Sequence, residues 1–274
     1  MSEGRFDEPV AEPAVREVSH VFGAFETMRS RLKELMESRR RDEESRHQLI
    51  VGLSHDLKTP VTAIKGYVEG MRDGVANTPE KHQRYVQTLH RKVTILEKMI
   101  GELFLLANLQ TRETPLDMQQ VDIAEFLRDS VEEFGSTRRH ESAQVIGRGL
   151  DRGDLLVRGD PIHLRRAVEN VIDNALTHGA RAKQLRVTVA LAQRGDSLRI
   201  IVTDNGPGIP ASQVPHVFES SFRGDTARST VGSGLGLTIA RRIIELHGGN
   251  IDLRSEEGNG TTVIIDLPRM EESE

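Results

Sequence analysis

The segment Ser54-His55-Asp56-Leu57-Lys58-Thr59-Pro60 places an imidazole beside a carboxylate on a stretch of helical period. At about 100° per residue, His55 points away from the apolar stripe of Ile50, Leu53 and Leu57, with Thr59 one turn on along the same face. A carboxylate such as Asp56 can hold one ring nitrogen as N–H and leave the other with a free lone pair, which is what a nucleophilic histidine needs. Pro60 removes the N–H that the Asp56 carbonyl would accept, so a kink is expected beside the histidine. The other nine histidines, His20, His82 and His90 among them, read as surface residues.

Four later segments have the residue types of a phosphate and base site. Asn170 and Asn174 lie four apart in Arg166–His178 (RAVENVIDNALTH), on one helical face, and a neutral amide oxygen suits a magnesium ion that already carries phosphates and water. Asp204-Asn205-Gly206-Pro207-Gly208-Ile209 ends a strand pattern; a buried carboxylate there can accept from an exocyclic amine such as adenine's, while Gly206 and Gly208 let a base approach the backbone. Phe218-Glu219 through Phe222-Arg223 reads as a polar lid whose Arg223 could reach a phosphate. Gly232-Ser233-Gly234-Leu235-Gly236-Leu237 opens a helix whose free N–H groups and dipole favour a phosphate. A dinucleotide-fold reading of this glycine run fails, because no strand with an acidic ribose partner follows at the expected distance.

The elements that must position these residues fall into three regions. Apolar residues at Val15, Val18, Phe22, Phe25, Met28, Leu32 and Leu35 recur every three or four residues, behind a start containing Pro9 and Pro13; this is the seam of a helix that pairs with another. Glu37 to Gln48 carries no apolar side chain and reads as a solvated connecting helix or a charged linker. Two long helices follow. The first has the stripe Ile50, Leu53, Leu57, Val61, Ile64, Val68 and Met71 and stops at Asp73-Gly74. The second starts at Thr78-Pro79 and has the stripe Val86, Leu89, Val93, Leu96, Ile100 and Leu103. One hairpin cannot cover both stripes, so a second copy is expected to complete a four-helix bundle. From about residue 120 the pattern mixes helices (Ile123 to Phe134, Leu235 to His247) with strands (Arg186 to Ala192, Leu198 to Thr203, Asn250 to Arg254, Thr261 to Leu267), a mixed α/β sandwich. The segment from Leu109 to Leu116 is the expected flexible joint between hairpin and sandwich.

Composition narrows the classes. The 274 residues include no Cys, which excludes disulfide scaffolds and thiolate metal sites, and a net charge of -5 offers no basic field for nucleic acid. No apolar run reaches the roughly 20 residues of a membrane span.

Taken in order, these segments resemble the catalytic half of a bacterial sensor histidine kinase. His55 to Pro60 (HDLKTP) resembles the H-box, Asn170 to His178 the N-box, Asp204 to Ile209 the G1 box, Phe218 to Arg223 the F-box and Gly232 to Leu237 the G2 box. The first 36 residues resemble the end of a HAMP relay module. The resemblance implies a partial HAMP and connecting helix over 1–44, a dimerisation and phosphoacceptor hairpin over 45–114, and a Bergerat-type α/β ATP-binding sandwich over 115–270. It implies that His55 takes the γ-phosphoryl of ATP, Asp56 orients it, and Thr59 aligns a water for dephosphorylating a partner. Asn174 would ligate Mg2+, with Asn170 beside the phosphates and Asp204 on adenine; His178, Gly206, Gly208, Gly234, Leu235, Gly236 and Leu237 would line the nucleotide site. The implied partners are a second copy and the receiver domain of a response regulator, and the implied setting is the cytoplasmic side of a receptor whose membrane segments are absent from this chain.

Two positions depart from the family pattern. Thr177 stands where a Lys is usual, leaving that phosphate contact to Arg223 or Arg228, and Ser220 and Ser221 replace the second half of the F-box. These departures keep open a dedicated phosphatase with weak kinase activity, and a non-catalytic relay.

Overall fold

Helix formation is set by its end signals. In the computed structural model, α1 (Arg16–Arg72) runs without a break through Pro60 and stops before Gly74, whose φ is +75°. α2 (Pro79–Gln110) begins behind Thr78, whose hydroxyl accepts the Lys81 N–H at 3.3 Å, with Pro79 in the first-turn position where a missing N–H costs nothing. The structure describes residues 16–110, 116–136, 143–151, 155–179, 184–219 and 234–270, apart from the side chains at 16–22, 41–42, 45–49, 55, 110 and 136. Pro9 and Pro13, Ser220, Ser221, Arg223, Arg228 and Gly232 lie outside them.

Met1–Gly52 and Leu53–Glu274 form two compact units. In the first, the described stretch is helix throughout, including the charged segment from Glu37 to Gln48, and the seam residues Phe25, Met28, Leu32 and Leu35 are exposed. In the second, Tyr67 and Tyr85 meet edge-on with ring centroids 5.0 Å apart, locking the closed end of the hairpin. Val61, Val68, Val86, Val93 and Ile100 nevertheless stay 41–52% exposed, so each helix keeps an apolar stripe that its own chain does not cover.

The sandwich is built on a five-stranded sheet in the order β2 (Ala143–Arg148), β4 (Leu185–Arg194), β5 (Ser197–Asp204), β7 (Gly260–Pro268) and β6 (Asn250–Glu256). β2 runs parallel to β4 and the other neighbours are antiparallel. Alternation fixes its inner face: Val187, Val189, Leu198, Ile200, Val202, Val263, Ile265 and Leu267 are buried. Above them lie α4 (Pro161–Gly179) and α5 (Gly236–Leu246), with Leu164, Val168, Ile172, Ile239, Ile243 and Ile244 buried, and α3 (Ile123–Ser136) packs on β2. A separate pair, β1 (Gln119–Asp122) and β3 (Leu156–Gly159), flanks α3 and α4. The strands expected from alternation are present; β1, β2 and β3 were not expected.

One buried carboxylate joins these pieces. Asp160 caps α4, its Oδ1 accepting the N–H groups of Ile162 and His163 at 3.0 Å each, while Oδ2 accepts the Asp117 N–H at 3.0 Å. Its own N–H donates to His247 Nε2 at 2.9 Å, and His247 Nδ1 donates to the Ile243 carbonyl, which fixes a neutral tautomer at the end of α5. Burial pushes the Asp160 carboxyl up, but the N–H groups of His163 and Asp117 and the His163 ring outweigh it and hold the net value low. Burial likewise lowers His247. Both groups therefore contribute stability that is present above their unfolded pKa values and lost as pH falls through the lower folded ones. Asp160→Ala leaves three N–H donors without their acceptor and should cost about 3 kcal/mol. Urea unfolding of the parent and variant at neutral pH measures it, and a loss below about 0.5 kcal/mol contradicts the role given to this cap.

Candidate nucleotide site

Of the expected site residues of the sandwich, those of the Asp204–Gly208 segment lie where β5 ends. Asp204, the last residue of β5, is 9% exposed, and its Oδ1 accepts the Gly206 N–H at 2.7 Å. Burial pushes this carboxyl above the ordinary range, and the N–H groups of Gly206 and Thr261 oppose that rise without cancelling it. Such a group is a buried acceptor with a fixed direction.

Glycines make the turn possible. A Cβ on Gly206 would sit 2.8 Å from the Gly179 Cα, so the end of α4 presses directly against the turn. Gly208 adopts φ +71° against the Glu256 carbonyl, and Gly260 adopts φ +84° against the Asp204 carbonyl; a side chain at either would collide with backbone. Ser255 completes the frame: its Oγ accepts the Ile209 N–H and donates to the Gly260 carbonyl, both at 2.8 Å. Gly179, Ser255 and Gly260 were missed in the sequence. The Gly258-Asn259-Gly260 turn between the two late strands was the available signal for Gly260; nothing local marks the other two.

α4 brings the amides. Asn170 lies against the first turn of α5, where a Cβ on Gly236 would be 3.8 Å from its Cγ. Among the described residues the buried Asn170 Nδ2 has no hydrogen-bond partner, an unusual cost for a native amide. Asn174 and Thr177 are half-buried on the following turns, and His178 is exposed in the last one. α5 opens after Gly234 (φ +68°) and Leu235, which is buried, with no side-chain cap at its start; Leu237 is buried beneath it. Among the described residues the N-cap position supplies no side chain to its first-turn N–H groups, which also lack intrahelical acceptors, an arrangement suited to an anion. Thr238 Oγ1 in the first turn of α5 donates to the Phe218 carbonyl at 3.0 Å, and Arg241 lies 5.6 Å over the Phe218 ring. α4 thus runs from the Asp204–Gly208 turn, which it touches at Gly179, to the start of α5, which it touches at Asn170, with Asn174 between them. This donor and acceptor set fits a phosphorylated purine with a hard cation: carbonyl oxygens for the metal, N–H groups for phosphate, a carboxylate for an amine.

The hairpin residues sit apart from this group, on α1. His55 is helical in its backbone, Asp56 is half-buried, and Thr59 is exposed beside the buried Pro60. Among the described residues, no cluster of His, Cys, Asp or Glu could hold a metal, so a cation here depends on amide and phosphate oxygens. No described helix is long and apolar enough to cross a membrane.

Comparison with known proteins agrees with this division. Residues 45–112 match the His Kinase A (phospho-acceptor) domain, and residues 159–271 match the Histidine kinase-, DNA gyrase B-, and HSP90-like ATPase family. The chain is 28% identical over 243 residues to the sensor histidine kinase WalK of Bacillus subtilis, covering 88% of this chain and 39% of that protein. It is 26% identical over 231 residues to the sensor protein kinase WalK of Staphylococcus aureus, covering 82% and 54%. It therefore spans about half the length, or less, of these curated relatives. The crystal structure of histidine kinase ThkA in complex with response regulator protein TrrA shares the fold, with a TM-score of 0.65 at 22% identity over 94% of this chain and 68% of that one. With a phosphoacceptor hairpin followed by a histidine-kinase-type ATPase domain, in that order, this chain belongs to the bacterial sensor histidine kinases.

Proposed function

We propose that this chain phosphorylates itself on His55 from ATP and passes the phosphoryl group to an aspartate of a response-regulator receiver domain. The observation that carries this reading is the buried acceptor Asp204 facing a helix that holds Asn174 and the partnerless amide of Asn170. Asp204 accepts from the adenine amine, Gly206 and Gly208 let the ring reach the backbone, and the α5 N–H groups with Asn170 take the phosphates. Leu235 and Leu237 fix that helix start, His178 serves the site from the last turn of α4, and Arg223 and Gly232 are assigned to a lid. Asn174 would hold Mg2+ through its amide oxygen, and the ion would there neutralise phosphate charge. Phosphoryl transfer needs this positioning and charge neutralisation more than covalent help.

On the hairpin, the Asp56 carboxylate holds one His55 ring nitrogen as N–H, and the other attacks the γ-phosphorus in line. One N–P bond forms as the bond to the bridging oxygen of ADP breaks. A receiver aspartate then accepts the phosphoryl group from His55, and Thr59 aligns the water that later hydrolyses it. The uncovered stripes through Val61, Val68, Val86 and Val93 support a homodimer in which two hairpins close a four-helix bundle. We assign residues 1–44 to the end of a HAMP relay, 45–114 to the hairpin and 115–270 to the ATP-binding domain, and place them together on the cytoplasmic side of a membrane receptor.

Thr59→Ala separates the two halves of this reading. The variant should label itself at the parent rate, while its removal of phosphate from a labelled receiver slows about 10-fold or more. A receiver that loses label equally fast with either protein removes Thr59 from the mechanism.

A further inference from the structure

The turn that follows Asp204 is held on its two flanks by different means. Toward β6 and β7 the hold is mostly backbone. The Gly258 N–H donates to the Pro207 carbonyl at 2.7 Å, Gly208 lies against the Glu256 carbonyl, and the Ile209 N–H donates to Ser255 Oγ at 2.8 Å. Toward β4 the hold is a side chain. Asn205 Oδ1 accepts the Arg186 N–H at 2.7 Å, and its Nδ2 donates to the Gln184 carbonyl at 2.9 Å. A backbone N–H only donates and a carbonyl only accepts, so these two partners fix which way the amide faces.

Register explains why a side chain is needed there. β4 and β5 pair antiparallel from Arg194 opposite Ser197 to Val187 opposite Asp204, and one rung further would set Arg186 opposite Asn205. The chain leaves the ladder at that rung, turning so that the Gly206 N–H reaches Asp204 Oδ1 at 2.7 Å. Arg186 and Gln184 would then present an N–H and a carbonyl with no strand beside them. The Asn205 amide stands in for that missing strand, one acceptor and one donor meeting backbone groups two residues apart. It thereby ties to β4 the residue between Asp204, which accepts, and Gly206, which donates to it. On the third side a Cβ on Gly206 would be 2.8 Å from the Gly179 Cα, so the turn has no room to slide toward α4. Asn205 is exposed, so it adds little to the core, and its amide acts on the turn.

We propose that Asn205 is a positioning residue that sets base selectivity: by pinning the turn to β4 it aims the Asp204 carboxylate at an exocyclic amine. This rests on the reading of Asp204 as the acceptor for adenine. A carboxylate held in one direction favours a purine with an amine at that place and opposes one with a carbonyl oxygen there. A carboxylate free to swing discriminates less. Asn205 acts through Asp204 and not by touching the nucleotide. The phosphates, taken at the start of α5 in the same reading, are spared when Asn205 is lost.

The test is Asn205→Ala in the full chain. ATP and inosine triphosphate, which carries an oxygen in place of the adenine amine, each compete against a fluorescent adenine nucleotide. The parent should prefer ATP about tenfold or more, and in the variant that preference should shrink about threefold or more, through weaker binding of ATP alone. Hydrogen exchange should quicken at the amide of Arg186, which loses its acceptor, and at that of Gly206, whose acceptor is no longer fixed. A variant that is merely less stable weakens both nucleotides alike and keeps the parent's ratio. That result, or unchanged exchange at Gly206, overturns the role of Asn205 and leaves Asp204 in place. A parent that binds both nucleotides alike, or neither, overturns the adenine reading of Asp204, and the selectivity role of Asn205 with it.

Discussion

Asp204→Ala is expected to weaken adenine-nucleotide binding about 10- to 100-fold. The carboxylate is buried at the end of β5 and held by the N–H groups of Gly206 and Thr261, so its direction is set before any ligand arrives. Removing one partner of a hydrogen bond to a charged group costs about 1.5–3 kcal/mol, and each 1.4 kcal/mol is about tenfold in affinity. Titration with a fluorescent adenine nucleotide measures the change, and circular dichroism shows whether the variant is folded. A folded variant that binds within about threefold of the parent would remove Asp204 from base recognition.

The same residue gives a pH signature. Burial raises the Asp204 pKa in the folded chain, so the folded state holds this proton more tightly than the unfolded one. Its protonation therefore stabilises the fold as pH falls through that window, and the contribution disappears as pH rises above the folded value. Nucleotide binding has the opposite sign, because protonation removes the acceptor. Affinity should accordingly fall at milder acidity than an exposed carboxylate would produce, and this dependence should vanish in Asp204→Ala.

Much of the site was legible because its residues carry local signals. Thr78-Pro79 and Asp73-Gly74 announce helix ends through capping and missing N–H groups, and both ends fall where expected. β4, β5 and β6 alternate in burial, since one face packs under α4 and α5, and β7 shows itself by the apolar run Val263-Ile264-Ile265. β1 and β3 are four residues each and lack room for alternation, while β2 is an edge strand with polar residues at Gln144 and Arg148. Their pairing is decided by tertiary contacts. Gly179 and Ser255 escaped notice for a similar reason: they matter only through Gly206 and Ile209, brought to them by the fold. The Lys98–Asp173 ion pair was illegible altogether, because both are ordinary helix-surface charges 75 positions apart.

The most direct measurement is incubation of the purified chain with γ-labelled ATP and magnesium, beside His55→Ala. Alanine is the best helix former, so α1 should persist while the only proposed acceptor is lost. The account predicts acid-labile, alkali-stable label on the parent and none on the variant. Equal label on both, or nucleotide binding with no label on the parent, would contradict it.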